Sequence, residues 1–228
     1  MPWIDGHPLW VAVDASGASH DVWVSDQLPP LLRILEESRR KGFLGSGEVM
    51  FHVEHAHGFA SLVGPEAARI LDLGSGGGVP GLVLALDLPD SQVTLLDAST
   101  RRCSFLTEAA ARLGLAIEVR CGRAEELGHD AALRGVFDAV VSRSFGPPAV
   151  VAECAAPMLR VGGLLVVSEP PDSSERWDAT GLHQVGLVDL GGRVEAGFSY
   201  RLLEQESNCP ERFPRRVGVP VKRPLFGS

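Results

Sequence analysis

The residues best suited to chemistry in this chain lie between positions 70 and 81, where the sequence is ILDLGSGGGVPG. An apolar run leads into Asp72, and five glycines follow between residues 74 and 81. Glycines allow the backbone to approach a ligand closely and leave N–H groups free at the start of a helix, where phosphate or ribose oxygens bind. A tight turn between a strand and a helix that binds no ligand needs fewer than five glycines. The stretch therefore predicts a ligand-binding loop.

Two glycine templates fit this loop. Gly74, Gly76 and Gly78 match the G-x-G-x-G of S-adenosylmethionine (SAM) enzymes, whereas the last two of these with Gly81 match the dinucleotide G-x-G-x-x-G. Asp72 favours the first template, because its carboxylate suits the α-ammonium group of SAM and would place like charge beside a pyrophosphate. We therefore predict SAM as the cofactor. The cofactor-contacting residues expected in the loop are Asp72, Gly74, Ser75, Gly76 and Gly78.

Polar residues also follow the next three apolar runs. Asp97 is placed to accept both ribose hydroxyls of either cofactor, and it is equally suited to cap the helix that begins near Thr100. Glu125 follows the third run, where SAM enzymes place an acid near the adenine, although an acid also suits a helix start. Arg143 follows the fourth run and is placed to touch cofactor or substrate, unless it pairs with a surface acid.

A parallel sheet is needed to bring these residues together, and the sequence predicts one. From residue 69 onward, short apolar runs alternate with helix-length segments, which is typical of a parallel sheet covered on both faces. The runs are RILDLG, QVTLLD, IEVRCG, FDAVVSR and GGLLVVSE, followed by an antiparallel pair, HQVGLVDLGG and FSYRLLEQ. We predict a doubly wound, Rossmann-like α/β fold of the class I SAM-dependent methyltransferases, mostly parallel with an antiparallel last strand.

The first part of the chain is predicted to be a small, largely helical extension. A hairpin is expected across Ser16 and Gly17, a helix from Pro29 and Pro30 onward, and a second helix over 49–62. We assign residues 1–64 to this extension and its cap helices. Residues 65–228 form the SAM-dependent methyltransferase domain with a basic C-terminal tail.

Charge and composition limit the partners and the cellular location that this chain could have. The formal net charge of −8 argues against a general nucleic-acid binder, but residues 201–228 contain six bases and three acids, so the tail carries +3. Such a tail either binds phosphates or is a solvated end. The four cysteines form no C-x-x-C pair, no apolar run of about 18 residues occurs, and the N-terminus does not resemble a signal peptide. We expect a cytoplasmic monomer without membrane contact.

Two further patterns have simpler explanations than chemistry. Residues 169–172 (EPPD) and 146–149 (GPPA) are similar to the N/D/S-P-P-Y/F box of amino-methyltransferases, but neither has the aromatic residue that stacks on the base. His52, His55 and His57 suggest a metal cluster, but no third ligand falls at helical spacing. We therefore predict no metal and interpret the histidine segment as a cap helix that faces the substrate.

The segments LDLGSGGGVPG, TLLDASTRRCSFL, GRAEEL, FDAVVSRS and the terminal RFPRRVGVPVKRPL together resemble the bacterial 16S ribosomal RNA guanine-N7 methyltransferases, the RsmG (GidB) family. They cover about residues 69–165 and 210–225. The resemblance implies SAM contacts at Gly74, Val79, Ala124, Glu125 and Arg143. The chain departs from the family before the glycine loop, with KGFLGSGEVMFHVEHAHGFASL, and after the fifth strand, where Glu169 replaces the lysine of an L-K-G segment. Both departures fall on the substrate side.

The resemblance implies transfer of a methyl group to N7 of a guanine in 16S ribosomal RNA. Guanine N7 has a lone pair and no proton to lose, which agrees with the absence of an obvious base motif. Arg143 is the expected catalytic residue, donating to guanine O6 and N7, and Phe145 would stack on the base. The bases expected to hold RNA phosphates are Arg212, Arg215, Arg216, Lys222 and Arg223.

Other functions remain open from the sequence. The first alternative is a SAM-dependent methyltransferase that acts on a small molecule, a peptide or a protein, which the acidic body of the chain favours. A SAM- or nucleotide-binding module without catalysis is a second alternative. A dinucleotide oxidoreductase, which would use the second glycine template, is a third.

Overall fold

The computed structural model describes residues 3–4, 7–8, 12–13, 19–20, 28–170 and 176–227. The helices in this part of the chain are α1 (Leu28–Arg40), α2 (Val49–Val63), α3 (Gly81–Asp87), α4 (Thr100–Arg112), α5 (Ala124–Leu127), α6 (Pro148–Ala155), α7 (Ala179–His183) and α8 (Val219–Lys222). The strands are β1 (Trp3–Ile4), β2 (His7–Pro8), β3 (Ala12–Val13), β4 (Ser19–His20), β5 (Arg69–Leu73), β6 (Gln92–Asp97), β7 (Glu118–Cys121), β8 (Phe137–Ser142), β9 (Leu159–Glu169), β10 (Leu187–Glu195) and β11 (Phe198–Gln205).

Strands β5 to β11 form one sheet in the order β10-β11-β9-β8-β5-β6-β7. The five strands from β9 to β7 run parallel, and the last strand, β11, lies antiparallel between β9 and β10. Its register pairs Arg201 with Val167 of β9. The prediction of a mostly parallel sheet with an antiparallel last strand is confirmed. The strand order reverses between β5 and β8, and ligands of such sheets bind at this switch point, outside the carboxyl ends of the strands.

Both faces of the sheet are covered. Because side chains alternate along a strand, Ile70 of β5 joins a core with residues of α1, α2, α3 and α4, whereas the adjacent Leu71 joins a second core with residues of α6 and α7. Both side chains are fully buried. Near-continuous apolar strands are what a parallel sheet covered on two sides requires.

Helices α1 and α2 pack directly on the face of the sheet that carries Ile70. Leu31 of α1 and Val53 of α2 belong to the same core as Ile70, and the Ser38 hydroxyl donates to the Gly77 carbonyl at 2.9 Å. The predicted helices near 29–41 and 49–62 are therefore present. Strands β3 and β4 pair antiparallel, and the predicted turn at Ser16 and Gly17 lies outside the described residues. The division of the chain at residue 64 stays a prediction.

One helix is shorter than its sequence pattern indicates. Residues 123–135 have helical length, but α5 ends after one turn at Gly128. A Cβ on Gly128 would lie 2.6 Å from Cγ of Pro214, so the tail packs closely against this position. Beyond it, Arg134 donates to the Gly128 carbonyl at 2.8 Å and also to carbonyls of the tail. Packing of the tail therefore overrides the local helical pattern.

Candidate functional site

The predicted site residues lie where four neighbouring parallel strands end. Asp72 is near the end of β5 and Asp97 closes β6, while Glu125 follows β7 and Arg143 follows β8. These strands are adjacent in the order β8-β5-β6-β7. The fold thus brings residues that are far apart in sequence to one edge of the sheet, around the loop that joins β5 to α3.

Asp72 is the most deeply buried carboxylate of this edge, with 1% of its surface exposed. Its Oδ2 accepts from the Gly81 N–H at 3.0 Å, whereas its Oδ1 is buried without a partner among the described residues. Burial raises the pKa of Asp72 to about 7, although the hydrogen bond from Gly81 acts in the opposite direction. A buried acceptor without a partner is costly, so its presence indicates a place for a donor.

The five glycines of the loop serve different purposes. Gly76 has φ of +52° and an ideal Cβ on it would meet nothing closer than 3.7 Å, so this part of the loop is open. Gly77 is closed, because a Cβ there would lie 2.9 Å from the backbone of Phe43, in the loop after α1. Gly81 packs against β6, since its Cβ would lie 2.2 Å from Cδ2 of Leu95. The open Gly76 belongs to both templates, whereas Gly81, which only the dinucleotide template requires, is a packing residue.

Asp97 and Ser75 hold the loop in place. Asp97 Oδ2 accepts from the Gly76 N–H at 2.9 Å, and its Oδ1 accepts from the Ser99 N–H at 2.8 Å. Ser75 donates to the Asp72 carbonyl at 2.9 Å and accepts from the Leu96 N–H at 3.1 Å. The Ser75 side chain is thus occupied inside the loop, so the predicted contact of this residue with a cofactor would involve its backbone. Asp97 retains lone pairs for further donors.

Arg143 is held by a residue of α2. Its Nη2 donates to Nδ1 of His52 at 2.5 Å, and Nε2 of His52 lies 3.3 Å from the Gly45 carbonyl, which fixes a neutral imidazole with the proton on Nε2. Burial, and then the charge of Arg143, lower the pKa of His52. Burial also lowers the pKa of Arg143. Nη1 of Arg143 is buried without a partner among the described residues, so one face of the guanidinium is free.

Glu125 connects this edge to the C-terminal tail. Its Oε1 accepts from Arg123 at 2.9 Å and from the Gly218 N–H at 3.1 Å. Burial would raise the pKa of Glu125, but these hydrogen bonds outweigh it and hold the pKa below its ordinary range. Ala124, which begins α5, is buried. A groove of about 490 Å³ lies between this helix and the tail.

The basic residues of the tail fall into two groups. Arg215 forms an ion pair with Glu153, a fully buried acid of α6, and its Nη2 also donates to the Arg223 carbonyl at 2.8 Å. This guanidinium anchors the tail, which speaks against the phosphate-binding role predicted for it. Arg201 of β11 is also paired, with Asp189 of β10. The remaining four are exposed and have no ion pair within the described residues. They are Arg212, Arg216, Lys222 and Arg223.

A second cleft, of about 270 Å³, lies at the carboxyl ends of β8 and β9. Phe145 lines it and also packs on the glycine loop, because a Cβ on Gly74 would lie 2.5 Å from the Phe145 ring. Glu169 lies in the same cleft, where its Oε1 accepts from the Trp177 indole N–H at 3.1 Å and its Oε2 accepts from Arg176 at 3.3 Å. The acid that replaces the expected lysine therefore faces a cleft beside the loop.

The histidine segment has structural partners. His55 stacks on Phe198 with ring centroids 4.6 Å apart, and burial lowers its pKa to about 4. His57 Nδ1 lies 2.7 Å from Oδ2 of Asp87. Between residues 28 and 227, leaving out 171–175, no group of three His, Cys, Asp or Glu side chains could hold a metal ion. No helix in the same part of the chain is long and apolar enough to cross a bilayer.

Sequence reasoning missed two features of this site. The contact between His52 and Arg143 joins residues 91 positions apart, and no pattern in the sequence connects them. The pairing of Glu153 with Arg215 did leave a signal, because Glu153 is a lone acid in the apolar segment AVVAECA. A fully buried acid needs a cation, and the conspicuously basic tail could have been considered as its source.

Comparison with known proteins identifies the family. The family model "rRNA small subunit methyltransferase G" matches residues 49–178. The chain is 40% identical over 170 residues to the ribosomal RNA small subunit methyltransferase G of Deinococcus radiodurans, covering 69% of this chain and 66% of that protein. It is 34% identical over 177 residues to the protein of the same name from Moorella thermoacetica, covering 73% of each chain.

Solved structures support the fold. An O-methyltransferase from Bacillus cereus in complex with SAH superposes with a TM-score of 0.54 at 16% identity, covering 79% of this chain and 91% of that one. The cofactor-bound protein Rv0187 from MTB superposes with a TM-score of 0.58 at 20% identity, covering 82% and 94%. The fold is thus that of the class I methyltransferases, and the chain belongs to the rRNA small subunit methyltransferase G family.

Proposed function

We propose that this protein uses SAM to methylate N7 of a guanine in 16S ribosomal RNA. The observation that carries the cofactor assignment is Oδ1 of Asp72, a buried carboxylate oxygen without a partner among the described residues, beneath a loop that is open at Gly76. The α-ammonium group of SAM is the donor that suits it. A dinucleotide offers a pyrophosphate instead, which an aspartate would repel.

The residues present fit the other parts of this cofactor. Asp97 retains lone pairs that suit ribose hydroxyls. Glu125, at the end of β7, suits the amino group of adenine. Bound SAM supplies an electrophilic methyl group on a sulfonium, and methyl transfer is then an in-line displacement in which much of the catalysis comes from positioning two reactants.

Arg143 is placed to orient the guanine. His52 fixes one end of its guanidinium, and the free Nη1 has a donor available for guanine O6. A bond to O6 alone leaves the lone pair of N7 free to attack the methyl group, so we assign O6 rather than N7 as the acceptor. Because N7 carries no proton, the neutral His52 acts as a positioning residue and not as a base.

The tail supplies a surface for RNA phosphates. Arg212, Arg216, Lys222 and Arg223 are exposed on a segment that is tied to the fold through Glu125. Each phosphate neutralised by such a cation releases counterions, so binding through this surface weakens with salt. The family relationship supports ribosomal RNA as the substrate, since the relatives are named for the small subunit RNA.

The test is methyl transfer to 30S subunits from a strain that lacks its native guanine-N7 methyltransferase, with the modified base identified by nuclease digestion. We expect 7-methylguanosine. Transfer to free small molecules or peptides but not to 30S subunits would favour the alternative substrate class. Calorimetry should detect SAM and S-adenosylhomocysteine (SAH) but not NAD, and tight binding of NAD would overturn the cofactor assignment.

A pair of variants tests the role of Arg143. Arg143→Ala should lower kcat by at least ~100-fold, the size of effect of losing one oriented donor, with little change in the affinity for SAM. Arg193→Ala, which removes an exposed arginine of β10, is the control and should retain full activity. A large loss of SAM affinity in Arg143→Ala would reassign this residue to the cofactor, and unchanged turnover would refute its role.

A further inference from the structure

The cleft at the ends of β8 and β9 has features of a binding site that the mechanism above does not use. Ser142 lines it and is fully buried, and its Oγ has no partner among the described residues. The Glu169 side chain is 5% exposed and also lines the cleft. Burying a hydroxyl without a partner is costly, so Ser142 points to a polar ligand, and Glu169 is a charged group facing the same cleft.

Glu169 is held in a defined orientation. Trp177 donates to one carboxylate oxygen and Arg176 to the other. A carboxylate has about four lone-pair sites, so each oxygen keeps one acceptor position. Two parallel acceptor positions match two adjacent N–H donors. A ligand that presents an acceptor at the same position would be rejected, because a carboxylate repels an acceptor.

The walls and the size of the cleft fit a flat ring. Phe145 forms one wall, and the volume of about 270 Å³ is below the range of ~300–1,000 Å³ typical of drug-sized ligands. Bases taken out of a nucleic acid stack on aromatic side chains and are recognised through their Watson–Crick edge. Because Phe145 also packs on Gly74, a base in the cleft would lie beside the cofactor loop.

We propose that this cleft holds the flipped-out target guanine and that Glu169 selects it, accepting hydrogen bonds from guanine N1–H and from its 2-amino group. This inference rests on the proposed function. Guanine is the base whose Watson–Crick edge carries these two adjacent donors, whereas adenine presents an acceptor at N1. Hydrogen bonds from N1–H and the 2-amino group to Glu169 leave the Hoogsteen acceptors N7 and O6 unused by this carboxylate.

The first test measures the base preference of the wild-type protein. Calorimetry on the complex with SAH, using 5′-GMP, 5′-IMP and 5′-AMP as probes, should show GMP bound at least ~5-fold more tightly than the other two, the lower limit for a bidentate pair. IMP lacks the 2-amino group and so isolates one of the two hydrogen bonds. Equal binding of GMP and AMP, or no measurable binding of GMP, would overturn the assignment.

The second test uses Glu169→Gln, which keeps the size of the side chain but replaces one acceptor by a donor. It should abolish the preference for GMP over IMP and lower kcat/KM on 30S subunits by ~5- to 150-fold, while SAM affinity stays within about twofold of wild type. Glu206→Gln, at an exposed acid, is the matched control. Wild-type transfer and preference in Glu169→Gln would refute the role of Glu169.

The two proposals fail in different ways. If the wild-type protein prefers GMP but transfers no methyl group to 30S subunits, the cleft assignment stands and the ribosomal substrate is wrong. If 30S subunits are methylated and neither the preference for GMP nor the effect of Glu169→Gln is found, the function stands and the cleft assignment is wrong.

Discussion

Replacement of Asp72 by asparagine should stabilise the cofactor-free protein at alkaline pH while it removes SAM binding. Burial raises the pKa of Asp72 from 3.8 to about 7. The native state therefore holds a proton that the unfolded chain releases above pH 3.8, so stability falls as pH rises and the penalty is complete above pH 7. At ~1.4 kcal/mol for each tenfold change in protonation, the raised pKa lowers the unfolding free energy, relative to pH below 3.8, by about 4 kcal/mol at pH 8 and about 2 kcal/mol at pH 5.

The asparagine has a cost of its own. Its Oδ1 can accept from the Gly81 N–H as the carboxylate does, but its amide nitrogen becomes a buried donor without a partner, which costs ~1–3 kcal/mol at any pH. We therefore expect the variant to be about 1–3 kcal/mol more stable than the wild type at pH 8 and close to it at pH 5. The change in the difference between these pH values, about 2–3 kcal/mol, is the quantity that depends on the titration of Asp72 alone.

The assay is urea denaturation of both proteins, purified free of nucleotide, at pH 5, 6, 7 and 8. Comparing the variant with the wild type at each pH removes the contributions of all other titrating groups. Calorimetry at pH 8 should show SAM affinity lower by at least ~10-fold in the variant, since the hydrogen bond to a charged donor is lost. Asp90→Asn, at an exposed aspartate, is the control and should show no change with pH.

Two results would refute this reasoning. If the difference in stability between Asp72→Asn and the wild type does not change between pH 5 and pH 8, the pKa of the buried carboxylate is not raised. Full SAM affinity in Asp72→Asn would mean that the partnerless Oδ1 does not meet the α-ammonium group.

Three further predictions concern packing and pH. Gly81→Ala should cost ~1–3 kcal/mol of unfolding free energy, because its Cβ would overlap Leu95, whereas Gly45→Ala, with open space around it, should be neutral in the same denaturation experiment. Arg134→Ala removes hydrogen bonds to carbonyls of the tail and should speed cleavage of the tail by trypsin. An unchanged rate of cleavage would mean that these bonds do not hold the tail. Burial lowers the pKa of His55 from 6.5 to about 4. The stability that depends on a neutral His55 is therefore present above pH 6.5 and is lost as pH falls toward 4. His55→Phe should reduce the loss of unfolding free energy in acid by about 3 kcal/mol, and an unchanged profile of stability against pH would contradict this.

The parallel strands and their order along the chain could be predicted, because the sequence pattern that marks a buried strand is local. A strand buried on both faces must be apolar throughout, and its end is marked where a polar residue such as Asp72 or Asp97 interrupts the run. The glycine register stays a prediction, which depends on Asp72 accepting from the ammonium of SAM. The position of each of these residues at the same sheet edge then follows from the parallel topology.

Contacts between distant segments could not be predicted in this way. His52 was assigned to a cap helix that faces the substrate, but its partner Arg143 emerges only when α2 packs against the sheet. The helical pattern of residues 123–135 gave way to the tail, whose Pro214 packs on Gly128. Glu169 is visible in the sequence only as a departure from the family pattern, because no pattern connects it with its partners Arg176 and Trp177.

The attachment of the tail bears on how an acidic protein would bind RNA and cofactor together under the proposed function. Glu153 and Glu125 anchor the tail through Arg215 and the Gly218 N–H, respectively, and the second of these acids belongs to the predicted adenine loop. Anchoring with buried acids leaves Arg212, Arg216, Lys222 and Arg223 exposed. A freely moving tail with the same charge would attract RNA equally at long range but would not fix its distance from the methyl donor, and positioning is what methyl transfer requires.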